Sequence, residues 1–389
     1  MKILHIGKYF PPYAGGMEHY LRDLMAAQVR QGIEPAALVH QSDISFSSVD
    51  ESFPAGEQQL PITRAAVWAR LLFTPISPTF PWLLRRLIKQ QQPDILHLHM
   101  PNVSVFWALL LPGARKIPWV VHWHADVLAS THSIGLRLFY NLYRPFERAV
   151  LNRAAAIIAT SPPYLASSEP LARYREKCHV VPLGLDPAKL PEPATPPAAR
   201  SPDAPLRVLA IGRLTYYKGF EYLIRAAAVA DHTEIHLVGK GDQEDKLKAL
   251  TRELKLEDRV IFHGHLSNEQ LAEQLRACDC LCLPSIERTE AFGMVLLEAM
   301  YCGKATIVSD VPGSGMGWVV GDDQTGLLVP PAHRAALAES LRILDQNHDK
   351  ILRLGGKGRE KFNRLFHVDK SSSGVTGVYQ LVKISPSGK

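Results

Sequence analysis

Cys280-Leu-Cys-Leu-Pro-Ser-Ile-Glu-Arg-Thr-Glu290-Ala-Phe-Gly293-Met-Val-Leu-Leu-Glu298-Ala-Met-Tyr-Cys-Gly303 is the stretch whose reading decides the fold. Its first residues form an apolar run of strand length. A polar loop follows, then an apolar segment, Val295–Met300, of helical character that ends at Gly303. Strand, polar loop and helix N-terminus is the unit from which open α/β sheets build ligand sites. Two carboxylates, Glu290 and Glu298, bracket the glycine and the apolar run, which makes them the first candidates for contact with a ligand.

The same alternation extends outward in both directions. Apolar strands are expected at 207–212, 234–239, 260–264 and 305–309, with helices at about 219–230, 242–254 and 268–277 between them. Upstream, residues 1–7 read as a strand, Met17 to Gln31 as a helix with Leu21, Leu24, Met25 and Val29 at helical spacing, and Glu34 to His40 as a second strand. That is a βαβ unit, so a parallel sheet is expected. Short strands follow at 94–99, 118–124, 155–160 and 179–182. Residues 41–60 are polar and carry no clear pattern, and Arg64 to Gln91 reads as helical in parts, broken by Pro75, Pro78 and Pro81.

Between the two series, residues 187–205 are so rich in proline that they read as a semi-rigid linker. The expected architecture is therefore α/β: two Rossmann-like domains, 1–186 and 206–365, with parallel sheets facing across a cleft, and a tail at 366–389 that can return to the first domain. At 389 residues the chain is too long for one ordinary core, which agrees with two.

Net charge is +6, and it is unevenly spread. Residues 1–190 carry 19 Lys and Arg against 13 Asp and Glu, whereas residues 191–389 carry 25 against 25. The excess points to an anionic surface or substrate meeting the first half. The five cysteines include Cys278, Cys280 and Cys282 on one face of a strand, with no CxxC pair, which implies buried thiols and a reducing cytosol. The first residues lack the apolar core of a signal peptide, and no run approaches the ~18 apolar residues of a membrane span.

Arg213 and Lys218 lie five apart on a strand-to-helix loop flanked by Gly212 and Gly219. Two cations and backbone that can approach closely suit a pyrophosphate. Gly15-Gly16 precedes the first helix and can place N–H groups on an anion. His97, His99, His122 and His124 form two His-x-His pairs at same-face strand spacing. Zinc is conceivable there, but nothing like HExxH accompanies them. There is no Asp-x-Asp, no P-loop and no dinucleotide fingerprint in its required setting, which argues against an NTPase and against a dehydrogenase.

Taken in order, Gly15-Gly16, His124-x-Asp126, Pro182-x-Gly184-x-Asp186, Gly212-Arg213 with Lys218-Gly219, Val238-Gly-x-Gly241, Phe262-x-Gly264, Pro284-Ser285, Glu290-x7-Glu298 and Gly326-x-x-Val resemble the retaining nucleotide-sugar glycosyltransferases of family 4, whose fold is called GT-B. The resemblance covers residues 1 to about 345. It implies that Arg213 and Lys218 clamp the donor diphosphate without a metal, and that Glu298 accepts hydrogen bonds from the ribose hydroxyls. It also implies that Glu290 sits by the donor sugar with the backbone of Ala291, Phe292 and Gly293, that His124 approaches that sugar, and that Gly16 lies near the phosphate on the acceptor side. The implied reaction is same-face transfer of a hexose, with no metal cofactor and no nucleic acid partner.

Ser309-Asp-Val-Pro-Gly-Ser-Gly-Met-Gly-Trp-Val-Val resembles a variant of the bacterial O-antigen and exopolysaccharide mannosyl- or rhamnosyltransferases, so GDP-mannose or a related donor is the expectation. The acceptor would be lipid-linked or a polysaccharide, and the protein would be cytoplasmic, on the inner face of the membrane. Arg64, Arg70, Arg85, Arg86 and Lys89, set among aromatic and apolar residues, and the basic segment 136–153 are the expected contacts with an anionic bilayer. A sugar-nucleotide epimerase of the same fold, or a non-catalytic nucleotide-sugar-binding protein, are the alternatives. The tail from Ser371 is poor in helix formers, which puts a packed terminal helix in doubt.

Overall fold

The computed structural model describes residues 1–384 except 14, 57, 72–73, 128–133, 193–199 and 202. The chain divides into two units, Met1–Gly184 with Val368–Lys389, and Leu185–His367. Part of the proline-rich segment, 193–199 and 202, lies outside the described residues; Pro187–Lys189 forms a single 3-10 turn of the second unit.

The first unit carries β1 (Lys2–Ile6), β2 (Glu34–His40), β3 (Val49–Ala55), β4 (Gln58–Ala65), β5 (Ala69–Leu71), β6 (Thr74–Ile76), β7 (Ile95–Met100), β8 (Trp119–Trp123), β9 (Ala156–Ala159) and β10 (Cys178–Val180). Its main sheet has the order β10-β9-β8-β7-β1-β2-β4-β3, and β5 pairs only with β6. All neighbours in the main sheet are parallel except β3, which runs antiparallel to β4 at the edge. Order reverses at β1, which lies between β7 and β2. In doubly wound sheets ligands bind beyond the strand ends at such a reversal. A small open pocket is found there, lined by Gly7, Lys8, Tyr9, Glu18, His99 and Pro101 among others.

Two expectations for this unit change. The described residues of 41–60 are not featureless, and those of 64–79 are not helical. They hold β3, β4 and the β5–β6 ribbon, and a helix begins only at Phe80. Of these, β4 owes its place to pairing with distant β2, which local composition does not reveal, and β3 in turn pairs with β4. The prolines explain the late helix: Pro75 and Pro78 precede it, and Pro81 falls in its first turn, where the missing N–H costs nothing.

The tail is a helix after all, Val368–Ile384, despite its serines and glycines. Those small residues serve packing. Ser371 and Ser372 are buried, the Ser371 hydroxyl donates to the Pro182 carbonyl at 2.7 Å, and a Cβ on Gly374 would stand 2.8 Å from Val181. The helix lies along helix Gly16–Arg30, joined by Arg30–Asp369 at 2.6 Å and Thr376–Gln31 at 2.9 Å. Tertiary contacts override weak intrinsic propensity.

The second unit is a fully parallel sheet of β11 (Leu206–Ile211), β12 (Thr233–Val238), β13 (Val260–Gly264), β14 (Cys280–Leu283), β15 (Ala305–Ser309) and β16 (Gly326–Val329), in the order β13-β12-β11-β14-β15-β16. Its order reverses between β11 and β14. Val208, Leu237, Cys280, Cys282 and Ile307 from the strands meet Leu223, Ile224, Leu341 and Leu344 from the helices in one buried cluster. Each such aliphatic side chain contributes about 1.5–3 kcal/mol by leaving water. All five cysteines are free, and burial pushes the thiols of Cys278, Cys280 and Cys282 up, so they act as small hydrophobes.

Candidate active site

The reversal point of the second sheet brings together the loop after β11 and the loop after β14. The first holds Arg213 and Lys218; the second holds Glu290. Gly219 makes their approach possible. It has φ +67°, and a Cβ there would collide with the Pro284 carbonyl oxygen, so only glycine fits. Ile286 N–H donates to the Tyr217 carbonyl at 2.8 Å, and the Tyr216 hydroxyl donates to Glu287 at 2.8 Å. Glu287 thus ties one loop to the other.

Lys218 and Glu290 form a short ion pair, with side chains 9% and 15% exposed. A pair so shielded from water is held by charge-assisted hydrogen bonding as well as attraction. Arg213 is exposed nearby in sequence and makes no ion pair among the described residues. The backbone around Glu290 is braced from the loop after β15. The Ser314 hydroxyl donates to the Glu290 carbonyl at 2.5 Å, and Gly315 N–H donates to the Ala291 carbonyl at 2.8 Å. Ala291, Phe292 and Gly293 are buried, and Phe292 packs edge-on against Phe366.

Gly293, at φ +81°, caps the helix Met294–Tyr301; a Cβ would stand 2.8 Å from Leu296 and 2.9 Å from Leu283. On that helix Glu298 does not lie on a solvated face. Its Oε2 is buried with no hydrogen-bond partner among the described residues, and burial pushes its carboxyl up to about 7. A buried carboxylate without a partner costs several kcal/mol unless a ligand supplies donors.

In the first unit, Gly16 opens the helix Gly16–Arg30. The Glu18 carboxylate folds back over Gly15, so the chain's own anion already stands at this helix N-terminus. His124 follows β8 and is buried. Asp126, two residues on, is structural: its Oδ1 accepts from Trp123 Nε1 at 2.8 Å and from the Ser168 hydroxyl at 2.7 Å.

The two His-x-His pairs are joined by His5 on β1 into a buried stack. His97 and His99 rings lie 4.5 Å apart and 7° from parallel; His122 and His124 lie 4.4 Å apart and 3° from parallel. The nitrogens of His5, His97 and His99, and those of His99, His122 and His124, come within 4.8 Å of one another. They also pair with each other at hydrogen-bond distance: His5 with His99 at 3.1 Å, His97 with His122 at 3.2 Å, His99 with His124 at 2.9 Å. Four of the five stand out in the sequence as His-x-His pairs; Gln28 and Tyr379, which complete the network, carried no signal because they come from two helices far apart in sequence. The bracing role of Ser314 was equally hidden.

Residues 15–184 match the glycosyl transferase 4-like domain, and residues 192–361 match the glycosyl transferases group 1. The chain is 30% identical to D-rhamnosyltransferase WbpZ of Pseudomonas aeruginosa over 94% of its own length and 92% of that protein. It is 28% identical to O-antigen chain mannosyltransferase C of Escherichia coli, over 100% of each. Sucrose-phosphate synthase of Thermosynechococcus elongatus superposes with a TM-score of 0.81 at 24% identity, covering 99% of this chain and 100% of that one, which shows the fold. The chain belongs to the group 1 glycosyl transferases. It is a glycosyltransferase of GT-B fold.

Proposed function

We propose that the enzyme moves a hexose, mannose or rhamnose, from a GDP-linked donor to a lipid-linked or polysaccharide acceptor in bacterial cell-surface glycan assembly, with retention of anomeric configuration and without a metal. The observation that carries the donor half is the placement of Lys218, Glu290 and the unpartnered Glu298 carboxylate around one sheet reversal. Two vicinal ribose hydroxyls are the donors that Glu298 lacks. Lys218 and Arg213 offset charge on the leaving diphosphate, as preorganised cations do. Lys218 exchanges part of its contact with Glu290 for phosphate, and Glu290, released toward the sugar, positions it. The helix Met294–Tyr301 directs its N-terminal N–H groups and dipole at the phosphate. Same-face departure and attack then need no covalent glycosyl-Glu290 intermediate, because a donor phosphate oxygen takes the acceptor proton. The GDP-mannose or rhamnose assignment rests on the named activities of the relatives and on the 309–320 loop.

The basic face for an anionic membrane surface is narrower than the sequence implies. Arg64 is buried in β4, paired with Glu51 at 2.7 Å, and Arg86 pairs with Asp50 at 2.6 Å. Trp82, Arg85 and Lys89 remain exposed together on the helix Phe80–Gln91, and Leu142 and Phe146 are exposed on the helix Ile134–Arg153. Aromatic and cationic groups on one amphipathic face are what interfacial helices use. No described helix is long and apolar enough to cross a membrane.

A thermal-shift screen against UDP-, GDP-, ADP- and dTDP-sugars, with and without a chelator, tests the donor. GDP-mannose or GDP-rhamnose raises Tm, since binding to the folded state stabilises it; a shift with other nucleotides alone, or one abolished by the chelator, overturns the reading. NMR of the first-formed product fixes the anomer. Sedimentation with anionic vesicles tests the membrane face: the double change Arg85→Glu and Lys89→Glu is expected to release the protein, and unchanged binding would remove that part.

A further inference from the structure

The five buried histidines form two hydrogen-bonded chains, and both end on one amide. In the first, His124 Nε2 meets His99 Nδ1 at 2.9 Å, His99 Nε2 meets His5 Nδ1 at 3.1 Å, and His5 Nε2 meets the Gln28 side-chain oxygen at 2.9 Å. In the second, His122 Nδ1 meets His97 Nε2 at 3.2 Å, His97 Nδ1 bonds the Tyr379 hydroxyl, and that hydroxyl accepts from the Gln28 side-chain NH2 at 3.1 Å. At the far ends, His124 Nδ1 and His122 Nε2 are buried without a partner among the described residues.

Burial lowers all five imidazoles, His5 to about 4 and His124 to about 3, with His97, His99 and His122 well below the usual value. Each ring at neutral pH therefore carries one N–H, and each link has one donor and one acceptor. The direction of every link follows from Gln28. Its oxygen can only accept, so His5 donates from Nε2. His5 Nδ1 must then accept from His99, and His99 Nδ1 from His124. The chain leaves His124 protonated on Nε2, with a bare lone pair on Nδ1. In the second chain the amide NH2 donates to Tyr379, whose proton goes to His97 Nδ1. His97 then donates to His122 Nδ1, leaving His122 with an N–H at its open end.

We propose that Gln28 is a positioning residue that sets the tautomer of His124, so that its buried, unpartnered Nδ1 is held as a hydrogen-bond acceptor for a ligand hydroxyl. The polarity is cooperative. Reversing the amide reverses both chains and turns His124 Nδ1 from acceptor into donor. A sugar hydroxyl accommodates either partner, but only the acceptor form at Nδ1 can take a hydrogen bond from it and hold the hydroxyl's lone pairs for other contacts. That the hydroxyl belongs to a sugar rests on the proposed glycosyl transfer; the tautomer relay does not.

Long-range proton–nitrogen NMR of the full chain, labelled with 15N-histidine, tests the relay. All five buried rings are expected as the Nε2–H form at neutral pH. The deciding comparison uses two variants that remove one chain's anchor each. Gln28→Met takes away the acceptor of the first chain and leaves Tyr379 free to donate into the second. The His5, His99 and His124 signals are then expected to lose their single-tautomer pattern, while His97 and His122 hold. Tyr379→Phe is expected to do the opposite. If Gln28→Met leaves His124 unchanged, or if His97 and His122 move with it while Tyr379→Phe changes nothing, the relay is overturned. Should either variant fold poorly, the wild-type pattern still decides: a His124 ring protonated on Nδ1 contradicts the assigned direction. A transfer assay separates the relay from the donor reading. Gln28→Met is expected to lower kcat about tenfold with little change in KM for the donor. Tautomer mixing with unchanged kcat would keep the relay and remove the sugar contact of His124.

Discussion

Lys218 and Glu290 form an ion pair at the order reversal of the second sheet; on and just beyond the central strands of the first, a buried stack of five histidines holds no charge. Both regions sit on parallel sheets of similar build, and both bury polar groups that water would otherwise solvate. The difference lies in what is brought together. Opposite charges at close range offset much of their own desolvation, whereas like groups at close range cannot, so the imidazoles go neutral and bond in series. The charged region can change partner when an anion arrives. The neutral one has fixed direction and is suited to orient, not to neutralise. Glu298 is the exception in the second unit: a half-buried acid whose Oε2 is buried with no cation beside it, and it is the group whose environment most plainly asks for a ligand.

The comparison breaks most easily at Lys218. Lys218→Ala removes the buried cation and strands Glu290, so kcat/KM for transfer is expected to fall about 10²–10³-fold, the loss seen when a preorganised transition-state charge is deleted. A rate close to that of the unmodified enzyme would mean that the pair is structural only.

Glu298 gives a pH signature that the histidine stack does not. Its carboxyl lies at about 7 in the fold against an ordinary 4.5. A group raised in this way contributes stability that is complete below the ordinary value and is lost as pH climbs through the folded value. The free enzyme is therefore expected to lose on the order of 3 kcal/mol between pH 4.5 and 7.5 from this residue. Glu298→Gln flattens that slope in denaturant titrations. Donor binding should have the opposite trend, tightening above pH 7 where the ionised carboxylate accepts from the ribose. If the slope is the same in wild type and Glu298→Gln, the buried-acid assignment fails.

Much of the second unit could be read from its sequence, and the reasons are local. Each strand is a short apolar run, each loop is polar, and glycines such as Gly219 and Gly293 mark where backbone must turn at positive φ. Three of the donor residues, Arg213, Lys218 and Glu290, sit in those loops, and Glu298 sits on the helix Met294–Tyr301 that follows. What stayed hidden was their pairing, because nothing in the spacing of 218 and 290 says that Gly219 lets the two loops touch. The first unit was harder. Its β3–β4 edge depends on pairing with β2, and its terminal helix forms through small residues that local propensity counts against it. The histidines were visible, but their hydrogen-bond direction is set by Gln28 and Tyr379, more than 300 residues apart in sequence and joined only by the packing of two helices.

The mildest test deletes one hydroxyl in each region. Ser314 and Ser371 are both buried, and each donates to a backbone carbonyl, Glu290 in one case and Pro182 in the other. Either change to Ala should cost about 1 kcal/mol of stability, the usual net value of such a bond. Their effects on transfer should differ. Ser314→Ala loosens the backbone that carries Glu290, so kcat is expected to fall several-fold, up to about tenfold. Ser371→Ala loosens the seat of the terminal helix and leaves transfer by the folded enzyme as it was. Equal losses of activity in the two variants, measured under conditions where both stay folded, would show that Ser314 only supports the fold. Activity would then depend on the charge of Glu290 and not on where its backbone is held.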